Sequence, residues 1–175
     1  MIFSLVGMPG SGKSTVGRHL ARRIGRPFLD SDHLIQERVG CSVSEFFARE
    51  GEAAFRALEE QVIAELAGGP DAVVATGGGA VVRAANRQRL RDAGRVIYLR
   101  SSPEELFRRL RHDTQRPLLQ VADPLAKLRA LHAERDRLYR EAAHFVIETG
   151  RPSIPTLVNM IVMQLELAGL LPPSP

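Results

Sequence analysis

The 175-residue sequence predicts an α/β protein of three layers, with a five-stranded parallel sheet covered by helices on both faces. Three observations lead there. Five short apolar runs are continuous rather than alternating, as strands buried on both sides should be. Longer stretches of helical period separate them, and a glycine-rich loop joins the first run to the first of those stretches.

IFSLV at 2–6 is the first strand, and GMPGSGKS at 7–14 matches G-x-x-x-x-G-K-[ST] with a strand before it and a helix after it. Gly7, Gly10 and Gly12 permit backbone conformations closed to other residues. The N–H groups of Gly10, Ser11, Gly12, Lys13, Ser14 and Thr15 can then turn inward around a phosphate at the helix N-terminus. Lys13 would reach the β and γ phosphates, and Ser14 would offer its hydroxyl to Mg²⁺. A dinucleotide fingerprint fails, because Thr15 stands where a third small residue is needed. The loop therefore predicts a nucleoside triphosphate site. The helix that follows puts Val16, Leu20 and Ile24 on one face and stops at Gly25.

PFL at 27–29 is the second strand and runs into Asp30 and Asp32. Continued as a strand, its period of two points both carboxylates the same way. The third run, AVVA at 72–75, leads into Thr76 and three glycines, and the fourth, VIYL at 96–99, into Arg100 and serines. Neither ends in a carboxylate, so Asp30 and Asp32 are the candidates for the acid beside a nucleotide-bound metal. Asp32 or Ser31 could also cap the helix that carries Leu34 and Ile35. Gly77, Gly78 and Gly79 imply a close approach to the main chain, since three ordered glycines are entropically costly.

Arg56 has Glu59 and Glu60 at i+3 and i+4, a spacing that suits surface pairs. In HDTQRPLLQVA, 112–122, the helical period breaks around Arg116-Pro117, and a loop carrying an arginine can close over phosphates. From about Asp123 a helix presents Leu125, Leu128, Leu131, Leu138 and Ala142 on a stripe that also passes through Arg135. A guanidinium facing inward calls for an anion, either a ligand or a buried carboxylate. FVI at 145–147 is the fifth strand. The last helix is opened by Ser153, carries Ile154, Leu157, Val158, Ile161, Val162 and Leu165, and ends at Gly169 before a tail, 169–175, expected to be disordered.

Composition narrows the function. Net charge is +4 and the pI near 10.0, but there is no tryptophan, only two tyrosines, and the basic residues are scattered along several helices. That pattern suits a small, highly charged anion better than nucleic acid. Of 24 basic residues only Lys13 and Lys127 are lysine. The single Cys41 makes no internal disulfide, no export segment or membrane span is evident, and a cytoplasmic monomer is expected.

GMPGSGKST, FLDSDHLIQERVGCSVSEFFAREGEAAFRALE, TGGGAV, RPLL and ERDRLYREAA together resemble the shikimate kinase family, within the nucleoside monophosphate kinase structural family, over residues 2–165. The loop motif alone is widely shared; the combination at these separations is specific. The resemblance implies a single P-loop kinase domain, 1–168, with a mobile substrate-binding subdomain at about 31–67 and a lid at about 112–123. It implies transfer of the ATP γ-phosphoryl group to the 3-hydroxyl of shikimate, with Mg²⁺, on the route to chorismate and the aromatic amino acids. By the same resemblance Asp32, Arg56, Gly78 and Arg135 contact shikimate, Gly77 and Gly79 shape the turn, and Asp30 sits near the waters of a metal bound to Ser14. Asp32 would orient the hydroxyl and accept its proton, beside Lys13 and the lid residue Arg116. Arg109 and Arg151 would flank adenine. Where relatives carry an aspartate before the threonine of the adenine loop, this chain has Glu148-Thr149. A kinase for gluconate or a nucleotide, or an ATP-driven nucleic-acid-binding module, are the competing readings.

Overall fold

The computed structural model describes residues 1–111, 121–150 and 152–175. Five parallel strands, β1 (Ile2–Val6), β2 (Phe28–Asp30), β3 (Val73–Ala75), β4 (Gly94–Arg100) and β5 (Phe145–Glu148), form one sheet in the order β2-β3-β1-β4-β5. Seven helices are described around it: α1 (Lys13–Ile24), α2 (Ser31–Val39), α3 (Val43–Ala67), α4 (Ala84–Ala93), α5 (Pro103–Leu110), α6 (Pro124–Ala142) and α7 (Ile154–Leu167). A 3-10 turn, Ala80–Val82, precedes α4.

The continuous apolar runs divide by period two between the faces of the sheet. Ile2, Val6, Val74, Val96 and Tyr98 join a core with residues of α3, α4, α5 and α6, whereas Phe3, Leu5, Val73, Ile97 and Leu99 pack against α1 and α7. Both sides of the central strands are therefore dry, which is why no polar alternation marks them. Because every strand is parallel, the carboxyl ends of β1, β2 and β3 open on one edge, where the topology reverses around β1 and ligands collect in open α/β sheets.

Two local expectations change. The strand at PFLDSD stops at Asp30, and Asp32 lies in the first turn of α2, so period two does not align the carboxylates. Asp30, rather than Asp32 or Ser31, caps α2: its Oδ1 accepts from the N–H groups of Asp32 and His33 at 3.0 and 3.3 Å. Within α3, Gly51 adopts φ 86°, ψ 171° and kinks the helix. Of the tail, Leu170 and Leu171 pack against the α1 and α7 core, and Ser174 N–H donates to Glu166 at 3.0 Å.

Candidate active site

The phosphate loop leaves β1 with Gly7, Gly10 and Gly12 at φ 155°, 84° and 94°. The last two are left-handed, and at Gly10 a Cβ would also lie 2.8 Å from the Leu110 side chain, so only glycine serves. Gly12 caps α1 without any side-chain hydrogen bond, and no acidic residue stands in the first turn. The orphan N–H groups and positive dipole end of α1 are thus left for an external anion. Lys13 is buried and folded over the loop, its Nζ donating to the carbonyls of Gly7 and Met8 at 2.8 and 2.9 Å. Ser11 is buried within the loop, and a Cβ on Gly7 would meet its hydroxyl at 2.8 Å.

The acids stand directly beside this loop. Ser14 Oγ donates to Asp30 Oδ2 at 2.7 Å, so the hydroxyl and the carboxylate predicted for a metal share one corner. Hard oxygen donors at a strand end beside a phosphate loop suit Mg²⁺, which binds one or two protein oxygens and keeps its waters. No group of three or more His, Cys, Asp or Glu side chains gathers as a metal cage among the described residues. Ser31, between the acids, is fully buried, and its Oγ accepts from Gly77 N–H at 3.1 Å, tying the acid turn to the glycine turn.

The glycine turn is crowded by side chains from three directions. A Cβ would lie 2.6 Å from Asp32 Oδ1 and 3.1 Å from Glu59 Oε2 at Gly77, 2.7 Å from the Pro9 ring at Gly78, and 2.3 Å from the Arg56 guanidinium at Gly79. The close approach inferred from the sequence is made by the protein itself, and through Pro9 it joins the turn to the phosphate loop. Gly10, Gly12, Lys13, Ser14, Thr15, Asp30, Asp32, Gly77 and Gly78, with Pro9 and Thr76, line one cavity of about 380 Å³. Ser11, Arg56, Gly79, Arg109 and Arg135 are not among its described lining residues.

Arg56 pairs with Glu59 but not with Glu60, and only its Nε faces an exposed acid, Glu52 at 3.6 Å. The arginine is buried, and its Nη1 donates to Glu59 Oε1 at 2.9 Å, while Glu60 pairs instead with Arg83 at 2.7 Å. Glu59 is 1% exposed, and burial pushes its carboxyl above the usual range despite the opposing pull of Arg56. The nearby Asp32 carboxylate adds to that rise, and the Arg135 charge counters it. Arg135 therefore joins Arg56, Glu59 and Asp32 in one electrostatic cluster, whereas Glu134, the neighbour that could have paired with it, is exposed. Glu59 escaped the sequence reading because an acid one turn after an arginine looks like a surface pair.

At the other end of the phosphate loop, Arg109 donates to the Gly10 carbonyl at 3.2 Å and the Thr149 carbonyl at 3.4 Å, and pairs with Glu105 at 2.6 Å. Glu105 is itself buried and accepts from Thr149 Oγ1 at 2.7 Å. Glu148, which replaces the aspartate of the resemblance, is exposed and pairs with Arg100 at 3.3 Å. Arg116, with lid positions 112–120, and Arg151 lie outside the described residues. Cys41 is half-buried, its Sγ 3.8 Å from Arg49 Nη2. A larger depression of about 660 Å³ lies beside β4 and α6, but its Arg100, Arg137 and Arg140 are already paired with Asp136, Glu148 and Glu141.

Comparison with known proteins agrees with this geometry. A family model described as shikimate kinase matches residues 9–166. A shikimate kinase of Paracidovorax citrulli is 64% identical, over 98% of this chain and 95% of its own. One from Burkholderia pseudomallei (strain K96243) is 58% identical, over 94% and 90%. Among solved structures, shikimate kinase from Acinetobacter baumannii in complex with shikimate superposes with a TM-score of 0.91 at 46% identity, covering 96% of this chain and 93% of that one. The enzyme from Aquifex aeolicus gives 0.85 at 32% identity, over 97% and 99%.

Proposed function

The chain belongs to the shikimate kinase family, and from that premise we propose how its own residues divide the work. The reaction is transfer of the ATP γ-phosphoryl group to the 3-hydroxyl of shikimate, giving shikimate 3-phosphate and ADP. The supporting observation is the single cavity in which the phosphate loop faces Asp32, Gly77 and Gly78. A donor cradle and an acceptor cradle within one cavity bring phosphate and hydroxyl into reach, and phosphoryl transfer depends mainly on such positioning and on charge stabilisation.

In this reading the loop N–H groups and the open end of α1 hold the β and γ phosphates. Lys13 neutralises charge on the moving group, exchanging the loop carbonyls for phosphate oxygens. Ser14 and Asp30 hold Mg²⁺, which when bound draws charge from the phosphate oxygens. Arg56 and Arg135 take the shikimate carboxylate, for which guanidinium forks are suited. Asp32 orients the reacting hydroxyl and accepts its proton, while Gly77, Gly78 and Gly79 let the ring lie against the main chain. Arg109 and Arg151 flank adenine, and Arg116 closes over the transferred group. Segment 31–67 moves with the lid as the substrate-binding subdomain. The chain acts as a cytoplasmic monomer, its single thiol free.

Coupled ADP release, measured with and without millimolar shikimate, tests the whole assignment. Turnover that depends on shikimate is expected; ATP consumption indifferent to shikimate would overturn it. A panel with gluconate and nucleoside monophosphates separates neighbouring kinase activities.

A further inference from the structure

Tyr139 lies one turn after Arg135 on α6, fully buried, with its ring packed against Tyr98 at 4.9 Å between centroids. Its hydroxyl donates to the Gly78 carbonyl at 2.6 Å. The positive charge of Arg135, one turn earlier on α6, acts on the same hydroxyl. One phenol thus bridges the last helix of the acceptor cluster and the glycine turn.

We infer that Tyr139 is a positioning residue for the acceptor, fixing beside Arg135 the peptide plane between Gly78 and Gly79. The inference rests on the reading of Arg135 and the glycine turn as shikimate contacts. A phenol can donate to a carbonyl, and no apolar ring can. Because a peptide is planar and trans, holding the Gly78 carbonyl aims the Gly79 N–H the opposite way. A glycine turn otherwise has backbone conformations to lose when a ligand settles on it, and ordering it beforehand removes that cost from the binding step. Burial pushes the Tyr139 hydroxyl up to about 12, so the donor keeps its proton at any working pH.

Tyr98 supplies the control. It is equally buried, and its hydroxyl also bonds within the protein, to Asp136 Oδ1 at 2.7 Å, but without a bond to the glycine turn. Steady-state kinetics of Tyr139→Phe, Tyr98→Phe and Arg135→Lys are therefore compared with the parent. Tyr139→Phe is expected to raise the shikimate KM roughly tenfold, equivalent to about 1.4 kcal/mol, with the ATP KM and kcat within about twofold. Tyr98→Phe should leave the shikimate KM alone, even if both variants lose similar thermal stability. Should Arg135→Lys raise the shikimate KM while Tyr139→Phe does not, the inference is overturned and the acceptor site stands. Should neither variant move it, the acceptor site itself is wrong. A second measurement does not require Tyr139→Phe to fold. In Tyr98→Phe, Tyr139 is the only tyrosine of the chain, so 3-fluorotyrosine labelling gives one ¹⁹F resonance. That resonance should shift when shikimate is added, and a resonance unmoved at saturating shikimate would sink the inference.

Discussion

Gly79 has an ordinary φ of −99°, which any residue adopts, yet a Cβ there would stand 2.3 Å from the buried Arg56 guanidinium. Gly79→Ala is therefore a steric probe of one interaction, without backbone strain. If Arg56 grips the shikimate carboxylate as proposed, the added methyl displaces its fork and raises the shikimate KM by roughly an order of magnitude, the size expected for a charge-assisted hydrogen bond. The ATP KM should hold, and initial-rate kinetics with each substrate varied would expose a uniform effect that contradicts this assignment. Asp32→Asn probes the other function. It keeps the size and the contact with Gly77 but removes the proposed base, so kcat should fall by roughly 10²–10⁴ while the shikimate KM changes little. A fall in affinity with kcat intact would make Asp32 a binding group only. At this scale the sequence was partly legible. Lys13, Ser14 and the glycines announce themselves by spacing, and Arg135 by standing on an apolar stripe. Glu59, Ser31 and Tyr139 do not, because their roles come from what two distant segments press against them.

Helices and strands were more legible than residues, because burial on both faces writes itself into a sequence as unbroken apolar runs. All five strands fall within two residues of their expected ends, and α1 stops at Gly25 as expected, closed there by a left-handed glycine. The acid turn misled period counting because a helix began one residue after the strand stopped, and one carboxylate became a cap. Two elements yield tests of their own. Gly51 breaks α3 at φ 86°, ψ 171°, in open space, so Gly51→Ala meets no clash and only backbone strain. Although alanine favours helices, the variant should lose about 1–3 kcal/mol in urea unfolding, the cost of such strained conformations. A gain in stability would mean that the kink is not imposed by its surroundings. At the α6 to β5 junction, His144 Nδ1 accepts from Val96 N–H at 2.9 Å. Burial, with Arg91 and Arg95 nearby, holds its pKa below the ordinary 6.5. The unfolded chain thus takes up this proton first as pH falls. The stabilisation is complete above pH 6.5 and drains away as pH drops through the folded value. Asparagine can accept the same N–H without titrating, so His144→Asn should show a shallower decline in Tm between about pH 7 and pH 5. Parallel declines would remove the histidine from the pH response.

For the molecule as a whole, the proposed function follows from a parallel sheet placing the ends of β1, β2 and β3 on one edge, with Pro9 wedged against Gly78 between the proposed donor and acceptor halves. A sequence can declare each half separately, the first by its loop and the second by resemblance, but their separation is a property of strand order that no local pattern encodes. The order β2-β3-β1-β4-β5 puts the glycine turn immediately beside the phosphate loop and the acid turn one strand farther out. Ser31 then draws the acid turn inward through its bond from Gly77 N–H. If both substrates share the resulting cavity, a compound joining shikimate through its 3-oxygen to adenosine by a short polyphosphate should engage both halves at once. Binding the second half then becomes intramolecular, and such linkage typically adds roughly 10²–10⁴ in affinity over either part alone. Isothermal titration should find the linked compound at least about 100-fold tighter than ATP, with excess shikimate or excess ATP each weakening its apparent affinity. An affinity no better than that of ATP, or competition by ATP alone, would put the acceptor outside the cavity that the phosphate loop and Asp32 enclose.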